Sequence, residues 1–295
     1  MKNTLRALRL PFISASILPF IFGSLLSRPD FNFLLFLLGL IAVIATHLSA
    51  NLINDYADSK SGADWQDMNF YKFFGGSKLI QKGIFPEKFY FRAALSFALI
   101  AVSYVIALAF ILRSLFVIVI YLCIIFFSWS YSQKPLQFSY RRLGEIFIFL
   151  LFGPALVMGG YFIQTGIFPS REGFFLSLPF GLLTTAILFA NEVPDYSDDV
   201  KSGKFTWVSI VKPEHAFLPY SLLTGLAFFF ILLEIKLGYL KLPAAFSLFF
   251  IALTFKAAVI LKKYPRDKER LVGSSKLTII TQTMVSLVLI LALIL

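Results

Sequence analysis

Long apolar segments recur through almost the whole chain, and this feature most limits the folds open to it. A helix of about 20 apolar residues crosses the hydrocarbon core of a bilayer. In lipid, the backbone must satisfy its hydrogen bonds internally, which favours helices over open sheets. We therefore predict an all-α, polytopic membrane protein with nine transmembrane helices, at roughly 10–27, 32–53, 91–112, 114–131, 144–166, 173–193, 216–236, 243–262 and 276–295.

Composition supports a membrane protein and excludes several other classes. Hydrophobic residues make up 58% of the chain and charged residues 15%, which is not the balance of a soluble domain of this size. The single cysteine excludes a disulfide framework. The first apolar segment has no small-residue cleavage pattern, so it is expected to be a retained span.

The positive charges indicate topology. Of the 27 Lys and Arg residues, 21 lie at the N-terminus or after the even-numbered segments, five lie on the opposite side, and Lys256 lies inside a span. This asymmetry places the N-terminus in the cytoplasm. The net charge of +11 is spread over loops between spans and does not indicate a nucleic-acid partner. The expected surroundings are a lipid bilayer, that of the cell membrane.

An acidic stretch, NLINDYADSKSGAD at residues 51–64, directly follows the second apolar segment. One continuous helix is expected to carry both, which places Asn51, Asp55 and Asp58 on one face. Acids at the end of a span are usually functional. Carboxylates suit Mg²⁺, which also shares phosphate oxygens. The stretch indicates a site for Mg²⁺ and a diphosphate at the cytoplasmic side, with a solvated acidic helix end as the alternative.

A second stretch, NEVPDYSDDVKSG, repeats this pattern after another apolar segment. Asn191, Asp195 and Asp198 have the spacing of the first motif, and one inserted residue brings in Asp199. The repetition indicates an internal duplication whose two half-sites face each other. The chain is then a single domain, 1–295, with halves 1–140 and 141–295.

Several loop and interior residues allow two interpretations. The segment Gly75–Lys78 either forms a backbone nest for an anion or is an ordinary turn. His47, one turn before Asn51, is either a hydrogen-bonded interior residue or a contact to substrate. Glu145 either pairs with Arg141 or Arg142 or contacts substrate. The expected outer charges, without a catalytic role, are Asp67, Asp198, Glu234 and Asp267.

These residues together resemble the UbiA-type intramembrane polyprenyl transferases, over most of the chain. The similar stretches are SASILPFIFGS, NLINDYADSKSGAD, GGSKLIQKG, YSQKPLQFSYRRLGE and FLLFGPALVMGGYFIQTG. The last two most resemble the 1,4-dihydroxy-2-naphthoate polyprenyltransferases of menaquinone synthesis. That subfamily usually has a second asparagine after the first and an arginine before the first aspartate of the second motif, where this chain has Glu192 and Pro194.

The resemblance implies a ring of nine helices around a central cavity, under cytoplasmic cap loops, and a reaction that joins a polyprenyl diphosphate to an aromatic acceptor. Mg²⁺ would neutralise the leaving diphosphate as a Lewis acid. The implied metal ligands are Asp55, Asp58, Asp64, Asp195 and Asp199. The expected catalytic residues are Asp55, Asp58, Asp195, Asp199, Tyr131 and Ser132. Substrate is expected to contact Asn51, Asn191, Lys78, Lys134, Lys201, Lys204 and Arg141.

Other functions remain open at the level of sequence. An ion-coupled transporter also combines duplicated halves with intramembrane acids, but such carriers place their charges near the midplane. A membrane diphosphatase would use the same acids without an acceptor. Among transferases, the acceptor could instead be 4-hydroxybenzoate, a glycerol phosphate ether or a porphyrin. No sequence feature indicates an obligate protein partner.

Overall fold

The structure, a computed structural model, describes residues 2–295, and its regular elements there are all helical. Four short 3₁₀ segments join or extend the α-helices, at Leu10–Phe12, Phe138–Tyr140, Pro213–His215 and Leu242–Phe250. The α-helices are α1 (Lys2–Ala7), α2 (Ser14–Leu25), α3 (Phe33–Ser61), α4 (Glu87–Leu112), α5 (Phe116–Ser130), α6 (Gly144–Phe152), α7 (Pro154–Thr165), α8 (Arg171–Lys201), α9 (Val208–Val211), α10 (Phe217–Lys236), α11 (Ile251–Lys263) and α12 (Lys268–Ile294).

Seven helical segments in the described chain are long and apolar enough to cross a membrane. They are α3, α4, α6 with α7, α8, α10, α11 with its 3₁₀ segment, and α12. The chain is therefore an integral, multi-pass membrane protein. The predicted first and fourth spans correspond to shorter apolar helices, Leu10–Leu25 and Phe116–Ser130. The count of nine spans and their closure into a ring remain predictions.

Two helices extend well beyond the predicted spans. α3 continues to Ser61 and α8 to Lys201, so each motif lies on the same helix as the apolar run before it, as expected. The predicted span at 144–166 is instead two helices that meet at Gly153. A Cβ at Gly153 would lie 2.8 Å from the Cα of Gly181. The break between α6 and α7 therefore lets α8 approach Gly153 at this short distance.

α8 is the central helix of the bundle. Some 83% of the residues in its most apolar 18-residue stretch are buried, against 28–50% in the corresponding stretches of the other six spans. It packs against α6, α7, α10 and α12, while α3 packs mainly against α4. Because the outer helices carry large exposed apolar side chains, such as Phe110 and Phe249, their outer faces suit lipid contact.

Two of the expected outer charges are not free surface groups. Glu234 in α10 is 1% exposed, and neither of its carboxylate oxygens has a hydrogen-bond partner in the described chain. The expected outer position of Glu234 was wrong, because its place at the end of an apolar run does not reveal which face of the helix it occupies. Asp267 is exposed but caps α12, since its Oδ1 accepts from the backbone N–H of Arg270 at 3.1 Å.

Candidate active site

The first acidic motif lies at the end of α3. Asp55 and Asp58 are 3% and 7% exposed. Gly62 ends the helix in the left-handed region, with φ of 89°, and this turn brings Asp64 back to the same end of the bundle, where it is also buried. The three carboxylates thus lie together at one end of the bundle, here called the acidic end.

The second motif reaches the acidic end from α8. Lys204, just beyond that helix, lies between the two motifs: its Nζ is 3.4 Å from Asp199 Oδ1 and 3.6 Å from Asp58 Oδ2. Burial alone would lower the pKa of Lys204, but Asp199 and Asp58 outweigh it and hold that pKa well above its usual value. A permanent cation therefore joins the two motifs, which do face each other.

The segment Gly75–Lys78 covers both motifs. The N–H of Gly75 donates to Asp195 Oδ2 at 2.9 Å, and the N–H of Ser77 donates to Asp55 Oδ2 at 3.1 Å. Lys78 Nζ lies 3.2 Å from Asp64 Oδ1. The segment does present N–H groups to anions, and the anions it binds here are carboxylates of the chain itself.

The pKa of Asp64 is shifted by its buried, charged surroundings. Burial raises the pKa of its carboxyl well above the usual value, and nearby Asp58 raises it further, while Lys78 opposes both. A Cβ on Gly76 would lie 2.2 Å from Asp64 Oδ2, so only glycine leaves room for that carboxylate. The loop is therefore shaped around Asp64.

One cavity lies within this cluster, and a second, larger one reaches the motif helices at Asn51, Asn54 and Asn191. A small one, of about 10 Å³, is lined by residues of both motifs and the covering loop, including Asp64, Asp195, Asp199 and Lys78. A larger one, of about 280 Å³, lies below it among apolar side chains. It follows α3 from Asn54 to Gly39, roughly 22 Å at 1.5 Å per residue. A ligand whose anionic head lies at the acids could thus extend an apolar tail into the larger cavity.

The arrangement of two acidic motifs beside an apolar cavity agrees with a sequence-family match that covers most of the chain. The sequence profile of the UbiA prenyltransferase family matches residues 16–280. The chain belongs to the UbiA prenyltransferase family. It is therefore a prenyltransferase, as the family resemblance implied.

Two relatives illustrate the range of the UbiA family. UbiA prenyltransferase domain-containing protein 1 of Homo sapiens is 30% identical over 260 residues, which cover 82% of this chain and 72% of the relative. The 1,4-dihydroxy-2-naphthoate octaprenyltransferase of Bacillus subtilis is 27% identical over 198 residues, 66% of this chain and 61% of the relative. This similarity confirms the resemblance to naphthoate prenyltransferases.

A solved UbiA homolog from Archaeoglobus fulgidus, bound to GPP and Mg²⁺, has the same fold. The two structures superimpose with a TM-score of 0.62 over 96% of this chain and 99% of the homolog, at 16% identity. At that identity the likeness establishes the fold alone. It agrees with the helical architecture predicted from the apolar segments.

The structure brings some predicted UbiA site residues together and leaves others outside. Tyr131, Asn51 and Asn191 line the large cavity, and the buried Ser132 accepts a hydrogen bond from Asn54 Nδ2 at 2.9 Å. Three predicted substrate residues are instead exposed, with no ion pair to either motif in residues 2–295: Lys134, Arg141 and Lys201.

Three residues that contact the acids were missed in the sequence. Arg9 Nη1 lies 3.4 Å from Asp55 Oδ1, and Tyr140 donates to Asp58 Oδ1 at 2.7 Å. Lys268 Nζ joins the two outer acids, at 2.9 Å from Asp67 Oδ2 and 2.7 Å from Asp198 Oδ2. Each comes from a distant part of the chain, and no spacing in the sequence signals such a contact.

Glu145 does not form the ion pair that was one of the two roles predicted for it, and its contact with substrate stays a prediction. Its Oε1 accepts from the backbone N–H of Trp207 at 2.5 Å, whereas Arg141 donates to Pro135 and Arg142 to Ser209. The predicted ion pair is therefore absent among the described contacts. Glu145 instead fixes the chain beyond Lys204, which helps to hold that lysine between the motifs.

Proposed function

We propose that this UbiA family member transfers a polyprenyl group from an allylic diphosphate to 1,4-dihydroxy-2-naphthoate at the cytoplasmic side of the cell membrane. The observation that carries the proposal is the convergence of two acidic motifs above a long apolar cavity. The acids suit the diphosphate with its metal, and the cavity suits the chain. Curated relatives from Bacillus subtilis and Mycobacterium leprae are named as octaprenyltransferases of that naphthoate.

The acids fit Mg²⁺ that is shared with a diphosphate. No three carboxylate, histidine or cysteine groups in residues 2–295 lie close enough to hold a metal ion alone. Mg²⁺ usually takes only one or two carboxylates, with waters and substrate phosphates completing its shell. Asp199 Oδ2 is buried without a hydrogen-bond partner, as a ligand position would be. The residues proposed to hold the ions are Asp55, Asp58, Asp64, Asp195 and Asp199.

The chain's own residues account for the other requirements. Bound Mg²⁺ supplies Lewis-acid neutralisation of the leaving diphosphate. Lys78 and Lys204 are placed to bind its remaining charge. The apolar cavity keeps water from the prenyl cation, and Tyr131 offers it an aromatic face.

The bond changes balance without an added base. The allylic C–O bond breaks and its electron pair leaves with the diphosphate. The ring carbon that bears the carboxylate forms the new C–C bond, and the carboxylate then leaves as CO₂, which returns its bonding pair to the ring. His47 is not needed as a base in this scheme, and its Nε2 already accepts from Asn51 at 3.0 Å.

Product analysis tests the proposal directly. Purified protein is incubated with Mg²⁺, a polyprenyl diphosphate and a panel of acceptors: 1,4-dihydroxy-2-naphthoate, 4-hydroxybenzoate, a glycerol phosphate ether and a porphyrin. We expect a prenylated, decarboxylated naphthol product, its loss in EDTA and its recovery with Mg²⁺ or Mn²⁺. Release of free prenol without any prenylated acceptor would instead identify a diphosphatase. Undiminished turnover in EDTA would refute the metal role of the five aspartates.

A further inference from the structure

Two buried carboxyl groups meet beside the large cavity, apart from the proposed metal ligands. Glu145 lies in the first turn of α6 and Glu192 lies on α8, and they are 1% and 5% exposed. Their side chains are within hydrogen-bonding reach of each other. Neither residue is among those that line the cavity. The two acids, here called the glutamate pair, therefore need an account of their own.

One proton must lie between the two acids of the glutamate pair. Glu145 Oε2 and Glu192 Oε2 are both buried, and no N–H or hydroxyl group in the described chain donates to either oxygen. Ionised carboxylates can only accept, so a hydrogen bond between these side chains requires that one of them is protonated. Two carboxyl groups that share a site hold a proton in this way, because like charges at close range cannot both persist. The pair is thus a carboxylic acid beside a carboxylate.

The surroundings of the glutamate pair can balance one negative charge but not two. The charged groups that face the pair or the neighbouring Tyr131 are Lys204, Asp199 and Asp58. Lys204 is the one cation among these three, and it is shared with both aspartates. The N–H of Trp207 also donates to Glu145 Oε1 at 2.5 Å. One carboxylate of the pair is therefore stabilised, and the second carboxyl stays neutral.

Tyr131 borders both the glutamate pair and the large cavity. It lines the cavity, and a Cβ on Gly144 would lie 3.3 Å from its Oη, so the hydroxyl lies against the residue that precedes Glu145. Among the ionisable groups around Tyr131, Glu192 interacts with it most strongly. A hydroxyl group can accept one proton while it passes on its own. Tyr131 can thus connect the pair with a ligand in the cavity.

We propose that the glutamate pair is a proton store, which takes a proton from the ring hydroxyl of the acceptor through Tyr131 during prenyl transfer and returns it afterwards. This inference rests on the proposed function, since the hydroxyl belongs to that aromatic acceptor. An ionised ring attacks the prenyl cation more readily than the neutral ring does. A free phenolic hydroxyl has a pKa of about 10 and stays protonated near neutral pH, so the reaction gains from a nearby base.

The protons and electrons of this step balance. The ring hydroxyl gives its proton to Tyr131 Oη while Tyr131 passes its own proton to the carboxylate of the pair, so both carboxyl groups become neutral. The ionised ring forms the C–C bond as the allylic C–O bond breaks and its electron pair leaves with the diphosphate. Loss of CO₂ returns a bonding pair to the ring, and the ring oxygen becomes negative again. It then recovers the proton by the same route, so the store is restored after each turnover.

The dependence of the rate on pH tests the store in the Mg²⁺-loaded, full-length protein. In the double variant Glu145→Gln with Glu192→Gln, the two amides can still pair and still accept from Trp207, but they cannot take up a proton. We expect its kcat near pH 7 to fall by about 100-fold, with the donor KM within about threefold of the wild type. Its rate should then rise about tenfold per pH unit from about pH 7 to 9, because the ring hydroxyl ionises in solvent. The wild-type rate should change by less than about threefold over this range.

Tyr131→Phe is the second variant, because it interrupts the route and leaves the glutamate pair intact. It should show the same rise of rate with pH, and it tests the store even if thermal unfolding shows that the double variant does not fold. Glu172→Gln is the matched control, since Glu172 is exposed at the opposite end of α8 from the acidic motif. This variant should keep the wild-type rate and pH profile.

The proposal is overturned if the folded double variant has a rate within about threefold of the wild type near pH 7. It is also overturned if the double variant is slower by the same factor at every pH, since the pair would then act only on the structure. A wild-type pH profile in Tyr131→Phe would likewise exclude the route. If the wild type prenylates no aromatic acceptor at all, the proposed function itself fails, and the store with it.

Discussion

At the scale of single residues, Asp58 shows how the negative charges of the acidic site are compensated. Tyr140 donates to its Oδ1 at 2.7 Å, and Lys204 lies 3.6 Å from its Oδ2. Asp55 and Asp64 are likewise paired, with Arg9 and Lys78. The carboxylates thus do not repel one another unopposed. Removing an acid altogether would leave a buried cation without its partner, which is strongly destabilising.

Asparagine is therefore the informative substitution for each motif aspartate. We expect Asp55→Asn, Asp58→Asn, Asp195→Asn and Asp199→Asn each to lower turnover by a factor on the order of 100 or more, because each removes charge that acts on the leaving group. Initial rates at saturating donor, with thermal unfolding in detergent, measure the effect.

The exposed Glu269, at the start of α12, provides the control: Glu269→Gln should stay within about threefold of the wild-type rate. Near-normal rates for the α8 variants beside inactive α3 variants would contradict the paired site. Failure of all four variants to fold would make the acids structural.

At the scale of elements, the covering loop determines where the acids lie. Gly75 and Gly76 have φ of 70° and 68°, which lets the N–H groups of Gly75 and Ser77 face Asp195 and Asp55. The loop joins α3 to α4, yet it contacts α8. The loop therefore fixes the position of the α8 motif relative to the α3 motif, without a direct contact between the carboxylates of the two motifs.

Gly76→Ala tests this loop. The new Cβ would lie 2.2 Å from Asp64 Oδ2, so the carboxylate must move away from Lys78, and we expect turnover to fall at least tenfold. Gly83→Ala is the matched control: its φ is 64°, with no atom within 4 Å of the new Cβ. Both changes cost about 1–2 kcal/mol of backbone strain, but only Gly76→Ala should lower the rate. Equal rates in the two variants would exclude steric control by the loop.

For the molecule as a whole, the chain begins and ends at different ends of the bundle. Arg9 contacts the acidic end, and α12 starts there, where Lys268 meets Asp67 and Asp198. The 27 residues of α12 then extend about 40 Å away at 1.5 Å per residue. We expect an N-terminal reporter fusion to be cytoplasmic and a C-terminal one to lie on the opposite side. Both reporters on one side would contradict this topology.

The apolar periodicity predicted the helices because each span must satisfy its backbone internally, and the motif spacing predicted which acids share a face. The break at Gly153 was not predictable, because it depends on the close approach of Gly181. The contacts of Arg9, Tyr140 and Lys268 depend likewise on tertiary packing across the bundle. The sequence thus pointed to the acids, Lys78 and Lys204, whereas only the fold revealed Arg9, Tyr140 and Lys268.

α3 and α8 each run without interruption from the apolar interior to the acids at their ends. A stiff helix adjusts to a change in hydrocarbon thickness mainly by tilting. α3 is 29 residues long, or about 44 Å, so a tilt of a few degrees moves its end by roughly 2–3 Å. That distance is comparable to a metal–oxygen bond. We therefore expect the separation of the two half-sites, and with it the rate, to respond to the thickness of the surrounding bilayer.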